Sequence, residues 1–368
     1  LNNESSRALT ISSVDGLIDQ GEFFKKQIAS KDTSGYYLLK KGDFAYNKSY
    51  SVGYDYGSIK RLDRYEDGVV STLYICMSLT SDTNSDYLTH YFDSMKWNKS
   101  VSEISAEGAR NHGLLNIPTE AFFQTKHYLA PSLPEQQKIA DFLSNVDSII
   151  TAETKILNSL QKKKKALMQK LFTQQLRFKS DDGKDFPEWE ERKLGEFCKT
   201  YSGGTPKSGT ADYYGGEIPF IRSGEISSNK TELFLTEKGM ENSSAKMVSK
   251  GDILYALYGA NSGLCSISKI DGAINQAILC IKTKENKRFL CNYLQYQREY
   301  FYSTYLQGGQ GNLSGKLVES FIIPLPCIVE QQKIADCLSS IDSLIQTQQK
   351  VITTWQQRKK ALLQQMFI

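Results

Sequence analysis

The chain carries the same long, apolar-seamed segment twice, and that duplication limits its fold more than any other feature. Residues 135–172 (EQQKIADFLSNVDSIITAETKILNSLQKKKKALMQKLF) and 330–367 (EQQKIADCLSSIDSLIQTQQKVITTWQQRKKALLQQMF) align without a gap at an offset of 195, with 20 of 38 positions identical. In the first copy apolar residues recur in steps of four and three at Ile139, Leu143, Val146, Ile150, Leu157, Leu160, Leu167 and Leu171. This heptad seam predicts one continuous helix after Pro134. The second copy, after Pro326, keeps it at Ile334, Leu338, Ile341, Ile345, Ile352, Trp355, Leu362 and Met366. Both seams break at equivalent polar positions, Glu153 and Lys164 in one and Gln348 and Lys359 in the other. Polar seam residues fix register and partner. At ~1.5 Å per residue each helix spans about 57 Å and cannot bury its seam alone. The economical arrangement packs the two helices on each other, antiparallel; the alternative is that each lies on its own domain.

The repeat reaches upstream of the helices. Lys41-Gly42-Asp43-Phe44-Ala45-Tyr46 and Lys250-Gly251-Asp252-Ile253-Leu254-Tyr255 are each a Gly-Asp turn leading into an apolar strand, within segments rich in Tyr, Ile, Val, Phe and Gly. Residues 177–189 (RFKSDDGKDFPEW) are polar and hold Gly183 and Pro187, which reads as a linker. The expected fold class is α+β with a pseudo-twofold internal repeat: a strand-rich domain over 1–131, a long helix over 132–176, a linker over 177–189, a second strand-rich domain over 190–326 and a second long helix over 327–368. Measured back from the Gly-Asp landmark, the second unit has about 20 more residues than the first, so the first unit is expected to lack its opening strand.

Composition excludes several classes. A chain of 368 residues exceeds one ordinary core, and 40% apolar content with 8 prolines argues against extended disorder. No run of 18 apolar residues and no basic, apolar leader occurs, so a cytoplasmic protein without membrane contact is expected. The net charge of +4 permits nucleic-acid binding without announcing it. Seven widely spaced cysteines read as free thiols. His90, His112 and His127 have no partners at metal-ligand spacing. The glycine-rich run 308–316 fails the phosphate-loop spacing, and Leu317 stands where a hydroxyl residue is needed. No Asn-Pro-Pro-Tyr type segment grips a flipped base. No catalytic, metal or cofactor site is expected in this chain.

A globular segment, a long helix, a second globular segment and a second such helix, with Leu133-Pro134-Glu135-Gln136-Gln137-Lys138-Ile139-Ala140 and Pro326-Cys327-Ile328-Val329-Glu330-Gln331-Gln332-Lys333-Ile334-Ala335 at the helix starts, resembles the specificity subunits of type I restriction-modification systems. Trp189-Glu190-Glu191-Arg192-Lys193-Leu194-Gly195 and Ser202-Gly203-Gly204-Thr205-Pro206 are similar to that family's domain opening. The departures are the short start of the first domain and the Ser132-Leu133 variant of the usual Pro-rich helix start. The resemblance implies two target recognition domains, each reading half of a split double-stranded DNA site, held apart by the helices as a ruler. It also implies a non-catalytic chain that docks two methyltransferase subunits and is joined by restriction and translocase subunits. S-adenosylmethionine, ATP and Mg then belong to the partners. Two competing readings are a coiled-coil scaffold for protein interaction without DNA specificity, and an enzyme of nucleotide metabolism using the glycine-rich loop.

Base reading needs polar side chains on loops stiffened by a scaffold, while cations and backbone amides hold phosphates. In the second domain Ser202, Gly203, Gly204, Thr205 and Lys207 suit phosphate approach, and Tyr258, Asn261, Gln310 and Asn312 sit on Gly-rich turns suited to adenine edges. In the first domain Asn47, Lys48, Ser49 and Tyr50 occupy the place equivalent to 258–262, and Arg110, Asn111 and His112 precede the first long helix much as 310–312 precede the second. Lys25 and Lys26 are phosphate candidates. An ordinary turn or a solvated charge is the competing reading for each. The run Lys162 to Lys165 reads as an exposed helix face or a docking surface.

Overall fold

The computed structural model describes residues 4–13, 15–24, 32–80, 82–105, 115–305 and 312–367. The chain divides into two compact units, Leu1–Lys155 with Gln348–Ile368, and Ile156–Thr347.

In the first unit the strands are β1 (Leu9–Ser12), β2 (Gly16–Asp19), β3 (Tyr37–Lys40), β4 (Phe44–Asn47), β5 (Ser58–Arg61), β6 (Asp67–Val70) and β7 (Ile75–Met77). β1 pairs with β2, β3 with β6, and β5-β4-β7 form an antiparallel sheet. The helices are α1 (Gln20–Phe24), α2 (Ser85–Asp93), α3 (Asn98–Ile104), α4 (Thr119–Phe123) and the first part of α5 (Leu133–Phe172). Aromatic rings fill the core between sheet and helices. Tyr46 of β4 stacks on Phe122 at 5.0 Å and meets Trp97 edge-on at 5.3 Å.

In the second unit the strands are β8 (Glu190–Lys193), β9 (Cys198–Ser202), β10 (Tyr214–Ile221), β11 (Leu233–Leu235), β12 (Lys246–Val248), β13 (Ile253–Ala256), β14 (Cys265–Ile267), β15 (Gly272–Ile274), β16 (Ile278–Thr283) and β17 (Ile322–Leu325). They form sheets β14-β13-β16-β9 and β11-β10-β15-β12 and the pair β17-β8. Helices α6 (Leu194–Phe197), α7 (Glu237–Glu241), α8 (Lys287–Tyr296), α9 (Arg298–Tyr305) and α10 (Gly315–Glu319) accompany them, with the first part of α11 (Ile328–Met366). The Gly-Asp landmark is a turn lock in both units. Gly42 (φ 96°) and Gly251 (φ 90°) supply the left-handed residue. The following carboxylates accept from the backbone N–H of Lys40 at 2.7 Å and of Ser249 at 2.9 Å. All seven cysteines are free.

The two long helices pack antiparallel, as the seam predicts. In the first unit Lys359 Nζ lies 2.7 Å from Asp147, and in the second Lys164 Nζ lies 2.7 Å from Asp342. The offset of 195 converts one pair into the other. Gln348 Nε2 donates to the Glu153 carbonyl at 3.0 Å and to its carboxylate, so the remaining two seam breaks, also repeat equivalents, meet each other. One pair of polar interruptions thus meets directly and each of the two lysines meets an aspartate of the facing helix, which specifies register. The first helix begins slightly before its expected start, with Pro134 inside the first turn of α5, where a missing N–H costs nothing; α11 starts at Ile328, after Pro326.

The Gln-Gln of each helix-start motif clamps the globular part. Gln136 Oε1 accepts from the Asn84 backbone N–H at 2.9 Å, and its Nε2 donates to the Ala130 carbonyl at 2.8 Å. Gln331 does the same with Asn286 (3.0 Å) and the Pro326 carbonyl (2.9 Å). Asn84 and Asn286 are the N-caps of α2 and α8. The second Gln binds the cap side chain, Asn84 Nδ2 to Gln137 Oε1 and Asn286 Nδ2 to Gln332 Oε1, both at 2.7 Å. At the far ends, Phe367 packs on Tyr87 and Tyr91 at 5.2 and 5.7 Å. Its equivalent Phe172 packs on Phe289 and Tyr293 at 5.8 and 5.3 Å. Residues 177–189 are tied down: Arg177 Nε and Nη2 reach the fully buried Glu330 carboxylate at 3.1 and 3.0 Å, and the Trp189 indole N–H donates to it at 3.1 Å. Among the described residues no helix is long and apolar enough to cross a membrane.

Candidate nucleic-acid interface

Strand directions gather the second unit's expected residues at one end of the sheet β14-β13-β16-β9. β9 ends at Ser202 opposite Leu279, and β13 ends at Ala256 opposite Ile278, the first residue of β16. In an antiparallel sheet the segments that leave β9 and β13 and the one that enters β16 must project from the same end. Backbone hydrogen bonds stitch them together: Gly203 N to Asn275 O (3.3 Å), Leu257 N to Ala277 O (2.8 Å) and Leu313 N to Leu257 O (2.9 Å). Ser202, Gly203, Gly204, Thr205, Tyr258, Asn261 and Asn312 thus belong to one loop cluster, with Lys207 exposed on the turn that follows.

The loop after β13 is stiff. Arg298 donates from Nε to the Ser262 carbonyl at 3.0 Å and from Nη2 to the Ala260 carbonyl at 3.4 Å. Ser262 Oγ donates to the Leu257 carbonyl at 3.1 Å. Tyr258 and Gly259 stand exposed at its tip. The adjacent glycines serve packing. A Cβ on Gly203 would lie 1.8 Å from the Ile274 carbonyl oxygen, and one on Gly204 would lie 1.8 Å from Ser244 Oγ. Sequence reasoning missed Gln276, which follows Asn275 in the short turn that enters β16 and has no glycine beside it. It is exposed, and its Oε1 accepts from Thr205 Oγ1 at 2.7 Å, which orients the amide. Arg298 was also missed, because its contact is made by a helix 36 residues away.

The first unit repeats the arrangement. Counting from the shared Gly-Asp turn, Lys48 stands where Leu257 does, and its carbonyl accepts from Leu115 N at 3.0 Å just as that of Leu257 accepts from Leu313 N. Asn47 Oδ1 accepts from Ser49 N at 3.0 Å, an Asx turn that engages this oxygen with its own backbone. Lys48 and Ser49 are half-buried, and Tyr50 is exposed beside Val52. Leu73, also exposed, sits in the turn that enters β7, at the same sheet end because Tyr46 pairs with Ile75. Lys25, Lys26, Arg110, Asn111, His112 and Gln310 lie outside the described residues. In the run Lys162 to Lys165, Lys164 is committed to Asp342 and the other three are exposed.

Residues 187–354 match the family described as the type I restriction modification DNA specificity domain. A Methanocaldococcus jannaschii chain assigned as the MjaX specificity subunit of a type I restriction enzyme is 30% identical over 291 residues, 75% of this chain and 65% of that relative. The domain over residues 187–354 belongs to the type I restriction modification DNA specificity family. The chain is also 28% identical to the Escherichia coli EcoR124I/EcoR124II specificity subunit over 228 residues, 58% of this chain and 53% of that one. The chain therefore spans about two thirds or less of these two relatives' lengths. The fold is shared with the S subunit from M. genitalium (TM-score 0.55, 15% identity, 93% of this chain and 87% of that chain). It is shared too with a chain from a structure of assembly and conformational transition in the type I R-M system (TM-score 0.59, 17% identity, 90% and 83%). The Glu-Gln-Gln-Lys-Ile-Ala-Asp motif that carries the resemblance is, in this fold, the clamp between each long helix and its globular part.

Proposed function

We propose that this chain is the DNA-reading subunit of a type I restriction-modification complex, with one strand-rich unit per half of a split target and the two long helices setting the spacer between halves. The observation that carries this reading is the loop cluster at one sheet end, built twice on the same backbone contact, Leu313 to Leu257 and Leu115 to Lys48. It presents chemistry suited to a major groove. Gln276 and Asn312 offer amides for adenine edges, Tyr258 and Tyr50 offer aromatic surface, Val52 and Leu73 suit thymine methyl groups, and Lys207 suits a phosphate. The chain itself performs no reaction in this account. Methyl transfer and cleavage, with S-adenosylmethionine, ATP and Mg, belong to methyltransferase and restriction subunits, and the assembly works in the cytoplasm. An exposed apolar groove on the helix pair of the first unit, lined by Phe142, Val146, Ile149, Trp355 and Leu362, supports methyltransferase docking.

Binding of the pure chain to mixed-sequence duplex DNA across salt concentrations tests the reading against the scaffold alternative. Affinity that falls by about tenfold or more between 50 and 200 mM salt is the expected result, because phosphate contacts release counterions. No detectable duplex binding at low salt favours the scaffold.

A further inference from the structure

One place in the fold is built twice, with opposite charge. It lies at the Gly-Asp end of each sheet, away from the loop cluster, where β5 or β14, α2 or α8 and the long helices come together. Shared contacts fix which residues correspond. The backbone N–H groups of Leu62 and Ser268 donate to the carbonyls of Asp43 and Asp252, each at 2.8 Å. Ser266, Ile267 and Lys269 therefore stand where Lys60, Arg61 and Asp63 do. Asn84 and Asn286 cap α2 and α8. Arg288, Asn292 and Gln295 therefore stand where Asp86, His90 and Asp93 do.

Ion pairs fill this place in the first unit. Arg61 reaches Asp63 and Asp86, and Lys60 reaches Asp93, each at 2.7 Å. Lys359 lies 3.7 Å from Asp93 and 2.7 Å from Asp147. In the second unit the three carboxylates equivalent to Asp63, Asp86 and Asp93 are replaced by two cations and an amide. A cavity of about 630 Å³ stands there, within the roughly 300–1,000 Å³ common to small-molecule sites. Lys250, Lys269 and Arg288 line it from two turns and a helix, and none of them forms an ion pair among the described residues. Arg288 Nη1 lies 3.4 Å from Ser339 Oγ. The carboxylate on the wall, Asp342, is matched by Lys164 at 2.7 Å.

Asn292 points to a ligand independently of charge. It is only 8% exposed, it lines the cavity, and its side-chain amide has no hydrogen-bond partner among the described residues. Buried polar groups are ordinarily hydrogen-bonded. No aromatic ring is among the described residues of the wall, so a nucleobase finds nothing to stack on. Converging cations in a concave wall concentrate positive potential, which selects a compact anion of high charge.

We propose that this cavity of the second unit binds a pyrophosphate or triphosphate group, either free or as the tail of a nucleotide. Lys250, Lys269 and Arg288 supply the counter-charge, and the Asn292 amide and the Ser266 hydroxyl donate to phosphate oxygens. The site is separate from the loop cluster and stands whether or not the chain reads DNA.

Calorimetric titration of the full chain with sodium pyrophosphate, tripolyphosphate and ATP, at constant ionic strength and without divalent metal, tests the proposal. Saturable one-to-one binding of pyrophosphate or tripolyphosphate is expected. The variant Lys269→Asp, Arg288→Asp installs the first unit's residues at both positions and is expected to bind about tenfold more weakly or worse, as loss of hydrogen bonds between charged groups does. Asn292→Leu keeps every charge, and a several-fold loss is expected there too, which attraction to a basic surface alone would not give. Circular dichroism checks that each variant is folded, and Lys269→Ala, a change on an exposed turn, serves if the double variant is not. ATP that binds as tightly as tripolyphosphate supports a nucleotide tail as the ligand, and weaker ATP binding supports the free anion. Absence of saturable binding overturns the proposal, as does binding that all the variants leave unchanged. Binding of a glutamate-rich peptide or of duplex DNA, but of neither phosphate, also overturns it and makes an acidic protein segment or a DNA backbone the occupant.

Discussion

Glu135 and Glu330 hold the same place in the repeat and have opposite surroundings, so the same substitution has different consequences at each. Glu330 is fully buried under Arg177 and Trp189. Glu330→Gln leaves a guanidinium without its counter-charge and lowers stability by about 3 kcal/mol, as breaking a buried ion pair does. Glu135→Gln stays within about 0.5 kcal/mol, as surface changes do. Urea denaturation of both variants checks the contrast. His90 gives a pH dependence. It is buried, its Nε2 lies 3.1 Å from Ser144 Oγ, and its Nδ1 lies 3.9 Å from Asp147. Burial, and then Lys359, push its pKa below the ordinary value, while Asp147, Asp93 and Asp86 pull the other way. As pH falls below about 6.5 the unfolded chain takes the proton first, so stability present above that value is lost on acidification. The drop in urea midpoint from pH 7.5 to 5.5 is expected to shrink in His90→Gln, and an unchanged drop would remove His90 from the account.

At the scale of elements, the long helices were legible from the seam, and even their breaks at Glu153, Lys164, Gln348 and Lys359 could be read. Their pairings could not, because Lys164 and Asp342 are 178 residues apart in sequence. The double-mutant cycle of Lys164→Ala and Asp342→Ala is expected to show a coupling of about 1 kcal/mol. The terminal phenylalanines look like helix ends in the sequence but act as core plugs. Phe172→Ala and Phe367→Ala should each cost about 3–5 kcal/mol. The loop cluster was legible where glycine marked a turn, at 203–204 and 258–263. Gln276 escaped because strand order, not local composition, brings it beside Thr205. The glycines at 203 and 204 were read as room for a phosphate, yet each has a packing reason inside the protein, in Ile274 and Ser244.

For the whole molecule, duplication is the organising fact. The helix-start clamp, the terminal phenylalanine, the Gly-Asp lock and the carbonyl contact beneath the loops each occur once per unit. On the proposed reading, a duplicated unit suits a bipartite target, whose halves meet the same face of the duplex about one turn, ~34 Å, or a multiple of it apart. Lengthening both helices by about two turns, a whole heptad that preserves the seam, should alter the spacer and leave both half-sites unchanged. The most direct test of the proposed DNA reading is methylation-site sequencing of genomes from cells carrying the chain with a type I methyltransferase subunit, the same cells without the chain, and cells carrying a Tyr258→Ala, Gln276→Ala variant. The account predicts a split adenine-methylated motif that appears only with the chain and whose second half alone relaxes or is lost in the variant. A motif indifferent to the chain, or one whose first half changes with these second-unit substitutions, would contradict it.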